Sequence, residues 1–529
     1  MDILKDKEEV SCPSDNDLGQ DNVMGYDKVP TPDSLDPKKI GSQADRYLRD
    51  TTSTNDSNSS PSSFVPNDFT DAGNAKLFAE IYRNELIYVD GLGWLHWNGK
   101  IWDRDNHVAM RCATEMSYNM LNIARENYTN ARQALELAKS NNSISISVQN
   151  IMEAKAKKAN LFLRHATTTR NGAHIKNMVE LAKPEFVVTA AQLDANPFDL
   201  NTPAGIIDVR TGEMREHDRT AYCTKITAVS LSDEGIQEWH RFLAKITNNN
   251  LALQNYLQRG MGMSLYGKVF EELFFFAYGS GRNGKSTFIE AITGCLGDYA
   301  GAIDVKTITT ERQNRGASLA TLRGKRFVAT GELENFQYLS SATIKHIAST
   351  GPMVIEEKYR QPETVQPSHT LIVQTNYLPR VISTDNGTWR RVRVIPFPAE
   401  IPVSESIPAY SEQLIANCGG AILSWLLIGA IAFKVDNYKL HEPDEVLEAM
   451  DAYRKQENWI ANFVDDCCVL DPNARVEARK LYDAYCEWAQ DTGEFKHREV
   501  EFSQAMTALK FQQVKPHNKK TWLGLRLAA

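Results

Sequence analysis

The chain has 529 residues, a formal net charge of −8, 42% hydrophobic residues and eight cysteines. That length and apolar content imply several domains with substantial cores and exclude a small disulfide-stapled scaffold. The acidity does not exclude nucleic acid as a partner, because it is local: residues 1–73 hold fifteen Asp or Glu against seven Lys or Arg, and the rest carries fifty-two charges of each sign. The cysteines form no C-x-x-C pair, and adjacent Cys467 and Cys468 suit neither a disulfide nor a metal, which fits thiols kept reduced in a cytosol.

Residues 1–73, rich in Asp, Ser, Asn, Pro and Thr, read as a disordered acidic tail. Its start, Met1-Asp-Ile-Leu-Lys5, lacks the basic and apolar regions of a signal peptide. Residues 74–235 read as a mixed α+β domain. Leu86–Val89 and Trp94–Trp102 have strand character, with Asn98-Gly99 as a hairpin turn. Trp94, Trp97 and Trp102 are expected to pack that hairpin rather than stack on bases. A helical stretch runs from about 108 to 180 with a break near Ser140–Ser143, and residues 201–213 read as a strand and a tight turn.

Residues 236–435 carry the chemistry. Glu272-Leu-Phe-Phe-Phe-Ala-Tyr278 suits a short buried strand and runs into Gly279-Ser-Gly-Arg-Asn-Gly-Lys-Ser-Thr287. Phe288, Ile289, Ile292 and Leu296 then recur at helical spacing, so a G-x-x-x-x-G-K-S pattern sits between strand and helix as a P-loop must. Gly279, Gly281 and Gly284 allow positive φ and bring N–H groups toward a polyphosphate. The helix N-terminus adds partial positive charge. Lys285 reaches the β- and γ-phosphates, and the Ser286 hydroxyl suits Mg²⁺. Ser280, Arg282, Asn283 and Thr287 complete the candidate nucleotide-binding loop.

Gly324–Glu334 reads as a strand ending in carboxylates, with Glu332 the better candidate for the metal shell and the attacking water, and Glu334 the second. Thr370–Asn376 is a third strand whose last residue, Asn376, is placed to sense a γ-phosphate. Thr388–Phe397 carries Arg390 and Arg391, a cluster able to stabilise a transferring phosphate in cis or from a neighbouring subunit. The apolar run Ala421–Phe433 is too short to span a bilayer and reads as a core helix, so no membrane partner is expected. Residues 440–529 suggest a small helical or winged-helix unit, with Lys480–Trp488 helical and Phe502–Phe511 as a recognition helix. Lys515, Lys519 and Lys520 fall on its wing. From Lys496 onward, seven Lys or Arg face two Glu, an excess compatible with phosphate contact.

Taken in order, Gly279–Ser286, Glu332, the Lys345–Lys358 stretch, Asn376 and Trp389-Arg390-Arg391 resemble the superfamily-three helicase module of phage and plasmid primase–helicases, which is related to the pox-virus-type D-family ATPases. The resemblance extends to Asn201–Glu213 and Leu257-Gln-Arg-Gly260 before the module, and to Leu481–Trp488 and Trp522–Leu527 after it, covering about residues 75–529. It implies an α/β fold with an AAA+-like P-loop NTPase core, a mixed α+β domain before it and a small winged-helix-like domain after it. It implies that Lys285 and Ser286 bind ATP and Mg²⁺, that Glu332 serves the hydrolytic water, that Asn376 is the sensor, and that Arg390 or Arg391 reaches the next subunit's ATP. It further implies a hexameric ring threaded by single-stranded DNA, gripped by a hairpin with Lys345, Lys358 and Arg360 as phosphate contacts. Pro352 departs from the pattern, standing where an Asp commonly follows the glycine.

The expected function is an ATP-dependent DNA helicase of phage, prophage or mobile-element replication, moving 3′ to 5′ in the cytoplasm of a bacterial host. A separate primase or polymerase is the expected partner, since no paired-carboxylate strand or zinc-ligand spacing builds a primase site. The alternative is an ATP-switched origin-binding or helicase-loading protein.

Overall fold

The computed structural model describes residues 64–528 apart from 141–144, 310–320, 334–336, 356–362 and 382–385. Glu334, Lys358 and Arg360 therefore lie outside the described residues. Residues 64–73, which composition assigns to the tail, are part of the first folded unit. Phe64, Val65 and Phe69 pack on the first core, and helix α1 (Asp71–Tyr82) opens with Thr70 accepting the Gly73 N–H at 3.0 Å. These apolar side chains close off a stretch whose average polarity hides them.

An antiparallel meander follows: β1 (Leu86–Val89), β2 (Gly93–Trp97) and β3 (Trp102–Arg104). Trp94 and Trp102 are buried. Trp94 meets Phe186 edge-on at 5.3 Å, and the Trp102 indole N–H donates to the Arg219 carbonyl at 2.8 Å. The tryptophans thus pack the hairpin, as expected. The helical stretch divides into α2 (Val108–Ser140), α3 (Ile146–Thr169) and α4 (Gly172–Ala182), so a second break at Arg170-Asn171 adds to the one anticipated. A second small sheet, β4 (Asp199–Thr202), β5 (Gly205–Asp208) and β6 (Met214–Arg215), leads to α5 (Ile236–Ile246) and α6 (Leu251–Gly262).

The next strands build one parallel sheet: β7 (Phe274–Tyr278), then α7 (Lys285–Leu296), β8 (Ala300–Ile303) and β9 (Phe327–Leu333). After α8 (Ser341–Ile347) an antiparallel pair, β10 (Met353–Ile355) and β11 (Glu363–Val365), stands outside that sheet. The chain then returns through β12 (Thr370–Thr375), the short α9 (Asn386–Trp389) and β13 (Val392–Pro396). The sheet order is β13-β7-β12-β9-β8, every pairing parallel. Phe274, Phe275, Phe276 and Ala277 are all fully buried, which is why β7 reads as an unbroken apolar run: a parallel sheet is covered on both faces. Phe274 and Phe276 join the core cluster with Ile344 and Ile347 of α8, while Phe275 meets Tyr256 of α6 on the other side.

Helix α10 (Tyr410–Val435) corrects one expectation. Polar residues extend the apolar run at its start, so the helix reaches 26 residues and is long and apolar enough to cross a membrane. Most of it is nonetheless buried within the protein, against α5, α6 and α7. Two glycines allow the crossing with α6: a Cβ on Gly429 would run into the Gln258 carbonyl, and one on Gly262 into the Gly429–Ala430 peptide. Gly429→Ala is expected to destabilise the chain by about 1–3 kcal/mol, the backbone clash outweighing a helix-propensity gain of about 1 kcal/mol. A lowered denaturant midpoint checks this; an unchanged or raised one counts against the crossing.

The C-terminal boundary also shifts. Helix α11 (Asp444–Gln456) puts Tyr453 into the same cluster as Phe274 and Val394, so it belongs to the sheet and not to the terminal unit predicted from residue 440. That unit has its own core of Trp459, Phe463, Tyr485, Phe502 and Trp522. It comprises α12 (Trp459–Cys467), β14 (Cys468–Glu477), α13 (Ala478–Thr492), α14 (Glu499–Ala508), β15 (Gln513–Val514) and β16 (Thr521–Leu527), with sheet order β14-β16-β15. Helix α14 starts earlier than the recognition helix expected there and ends before Phe511, because Lys510 takes a left-handed φ of 69°. Lys515, Lys519 and Lys520 lie between β15 and β16, where the wing was expected. An Arg380–Glu494 pair at 2.6 Å fastens this unit to the segment following β12.

Candidate nucleotide site

The P-loop leaves the C-terminal end of β7 and turns into α7. Gly281 (φ 101°), Arg282 (φ 48°) and Gly284 (φ 82°) are left-handed in quick succession, which reverses the chain tightly enough to aim backbone N–H groups at one point. No atom lies within 4 Å of a Cβ built on Gly281, so that side of the loop is open to a ligand, whereas Gly284 is pressed against Ile246 of α5.

Lys285, the first residue of α7, is 5% exposed. Its ammonium donates to the Gly279 carbonyl at 2.7 Å, to Asn283 Oδ1 at 3.2 Å and to Asn376 Oδ1 at 2.9 Å. All three acceptors are neutral. Burial holds the Lys285 pKa below the usual lysine range, and the nearby Glu332 carboxylate works against that shift. The Asn283 Nδ2 beside it is buried and unpartnered. A desolvated cation and an unpartnered donor beside the same loop form a cradle whose chemistry fits a polyphosphate.

The facing residues come from two neighbouring strands. Ser286 donates to Gln374 Oε1 on β12 at 3.0 Å. Glu332, near the end of β9, is exposed and contacts the side-chain amide of Asn376, which follows β12. Because β12 lies between β7 and β9, the fold gathers Lys285, Ser286, Gln374, Glu332 and Asn376 at the carboxyl ends of three adjacent strands, where open α/β sheets bind ligands. Among the described residues no group of three or more His, Cys, Asp or Glu could hold a metal. Ser286, Gln374 and Glu332 instead offer hard oxygens beside the loop, a set that suits Mg²⁺ when phosphate oxygens and water complete its shell.

Arg390 and Arg391 are elsewhere. They precede β13, beside the start of β7, where Phe274 N–H donates to the Arg391 carbonyl at 2.9 Å. The five-residue β7 puts about 16 Å between them and the P-loop, too far for action within one chain. The two also differ from each other. Arg391 is buried and donates to Glu272 at 2.5 Å, to the Gly387 carbonyl at 2.6 Å and to the Ala348 carbonyl at 3.3 Å, which makes it a structural tie. Arg390 is mostly exposed, with a 2.9 Å contact to the same Glu272. Trp389 anchors the pair by packing on Tyr453 at 5.1 Å.

Of the predicted DNA contacts, Lys345 is half-buried on α8 and not on a hairpin. The antiparallel β10–β11 pair follows it, and the residues joining those strands, including Lys358 and Arg360, are outside the described set. Sequence reasoning passed over Gln374 and Glu272. Gln374 was within reach, because it stands two residues before Asn376 on a strand and so shares its face. Glu272 was not, since its partners lie 118 and 119 positions away.

Residues 75–248 match the protein family described as D5 N terminal like, and residues 277–391 match a family of unknown function. A protein named as a helicase in Acanthamoeba polyphaga mimivirus is 25% identical over 346 residues, covering 61% of this chain and 36% of that protein. A protein named as a primase in African swine fever virus is 22% identical over 416 residues, covering 72% of this chain and 43% of that protein. A protein named as a helicase in Frog virus 3 is 26% identical over 244 residues, covering 41% of this chain and 24% of that protein. The chain thus spans less than half the length of these curated relatives. The N-terminal match, together with relatives named as helicases and primases, makes the chain similar to the D5-type primase–helicases.

Proposed function

We propose that this chain is an ATP-driven DNA helicase whose ATP is hydrolysed between subunits of a ring. The observation that carries the reading is the convergence of buried Lys285 with Ser286, Glu332 and Asn376 on one edge of the sheet. The strand order supports the AAA+-like expectation, since one strand separates the P-loop strand from the acidic one. In this reading the loop N–H groups and Lys285 hold the β- and γ-phosphates. Glu332 accepts the proton of the attacking water, and Asn376, which touches both Lys285 and Glu332, registers whether the γ-phosphate is present. Mg²⁺, held by Ser286 and Glu332 with the phosphates, would offset charge on the phosphate oxygens.

Arg390 then works in trans. It is exposed, and it stands at the end of the sheet opposite to its own P-loop, so a head-to-tail ring would present it to the neighbour's nucleotide. Translocation on single-stranded DNA, a hexameric ring and 3′ to 5′ movement follow from the family resemblance. Lys345, Lys358 and Arg360 remain the proposed phosphate contacts in the ring.

Subunit mixing tests the arrangement. Arg390→Ala is expected to lower kcat by about 10³-fold or more, and Lys285→Ala comparably. Mixed together, one protein supplies the loop and the other the arginine, so random assembly restores roughly a quarter of the wild-type rate. Mixtures no more active than either variant would argue against a site shared between subunits.

A further inference from the structure

Glu332 and Asn376 sit at the ends of two paired strands whose continuations meet again farther on. The Arg380 N–H donates to the Gln337 carbonyl at 2.9 Å and the Leu339 N–H to the Arg380 carbonyl at 2.8 Å. The segments leaving β9 and β12 are thus joined a second time, as a parallel bridge between Tyr338 and Arg380. Arg380 is four residues beyond Asn376, at most about 14 Å of chain. Before Asn376 the chain is fixed by the sheet, where Thr375 is fully buried. After it, the Tyr377 side chain is exposed, and the next tightly held point is the stretch around Arg380.

That stretch is held from the C-terminal side. The Tyr453 hydroxyl, near the end of α11, donates to the Pro379 carbonyl, and one helical turn later Glu457 accepts the Val381 N–H at 2.7 Å. Arg380, between these two ties, donates to Glu494 at 2.6 Å and lies 3.8 Å from Glu457. Glu457 caps the end of α11 and Asn458 caps the start of α12, so the carboxylate stands at the joint between the sheet and the terminal unit. Glu494 comes from that unit, just past α13, and its neighbour Phe495 meets Tyr338 edge-on at 5.8 Å. Glu457 is 4% exposed, and its Oε1 has no hydrogen-bond partner. A desolvated arginine with two carboxylates adds little net stability over apolar packing; what it adds is a fixed position, because the planar guanidinium holds its partners in set directions.

We propose that Arg380 is a positioning residue for ATP hydrolysis: gripped by Glu494 and Glu457, it fixes the segment that carries Asn376 and so keeps that amide on Lys285 and Glu332. The terminal unit thereby takes part in the reaction without touching the nucleotide. Displacing Asn376 by about 1 Å would leave the loop able to bind phosphate and would slow the chemical step. The inference rests on the sensor role proposed for Asn376, and Asn376→Ala measured alone separates the two.

Steady-state ATPase kinetics of the full chain test it, with Asn376→Ala, Arg380→Ala, Arg380→Lys and the Asn376→Ala/Arg380→Ala double variant beside wild type. Asn376→Ala is expected to lower kcat about 10²-fold. Arg380→Ala should lower kcat about tenfold or more with KM for ATP within about twofold of wild type, and Arg380→Lys, which can keep the pair with Glu494, should recover most of that loss. The double variant should be no slower than Asn376→Ala, because the arginine acts through the asparagine; a merely structural tie would instead multiply the two losses. Should Arg380→Ala not fold, Glu494→Gln, which weakens the same tie, takes its place in the cycle. Multiplied losses in the double variant, or wild-type kcat in Arg380→Ala, would overturn the positioning role and leave the sensor standing. Wild-type kcat in Asn376→Ala would overturn the sensor reading and this inference with it.

Discussion

Lys285→Ala abolishes ATP hydrolysis, lowering turnover by about 10³-fold or more, and leaves the chain folded. Both halves of that expectation come from the same geometry. The ammonium is buried, its pKa is held down by desolvation, and its partners are the Gly279 carbonyl, Asn283 and Asn376 rather than a carboxylate. Its removal breaks no ion pair but leaves three acceptors without that donor, so the variant stays folded with some loss of stability. With nucleotide the same charge meets the β- and γ-phosphates. Thermal unfolding should therefore separate the two states. Wild-type protein at a hundredfold excess of MgATP over Kd gains about 2.7 kcal/mol, and the variant gains almost none. An ATPase rate equal to wild type would remove Lys285 from the site.

Glu332→Gln is the complementary result, with binding kept and turnover lost. The amide is nearly isosteric, and its oxygen can still accept from Asn376, so the contact between the ends of β9 and β12 survives. It cannot accept a proton from water at neutral pH, and loss of a general base typically costs about 10²–10⁴-fold. Because Glu332 is exposed, the substitution should move the unfolding midpoint little. Rapid-quench turnover measured beside equilibrium ATP binding distinguishes the two effects. Wild-type turnover would show that the water is activated elsewhere, and lost binding would show that Glu332 serves the phosphates instead.

The parts of this site legible in the sequence are those built from contiguous residues. The Phe274–Tyr278 run, the glycines of the loop and the helical spacing after Lys285 each follow from local physics, and they appear in the fold as a strand, a left-handed turn and a helix. Glu332 and Asn376 were legible because each lies at or just beyond the end of a recognisable apolar strand. What escaped was whatever depends on which strand pairs with which. Only the pairing of β13 with β7 sends Arg391 inward to Glu272 and leaves Arg390 outside, and no local pattern distinguishes two adjacent arginines. The boundary near residue 440 was misplaced for a similar reason: the amphipathic α11 has an apolar stripe, but nothing in that stripe says that Tyr453 packs beneath the parallel sheet instead of in the terminal unit.

The claim that ATP hydrolysis here moves DNA is tested most directly by strand displacement on duplexes carrying a single-stranded tail at the 3′ or the 5′ end, with and without ATP. Displacement is expected to require ATP, to prefer the 3′-tailed substrate and to vanish in Lys285→Ala. ATP-dependent DNA binding with no displacement of either substrate would contradict it, and would instead mark the chain as a nucleotide-switched origin-binding or helicase-loading protein.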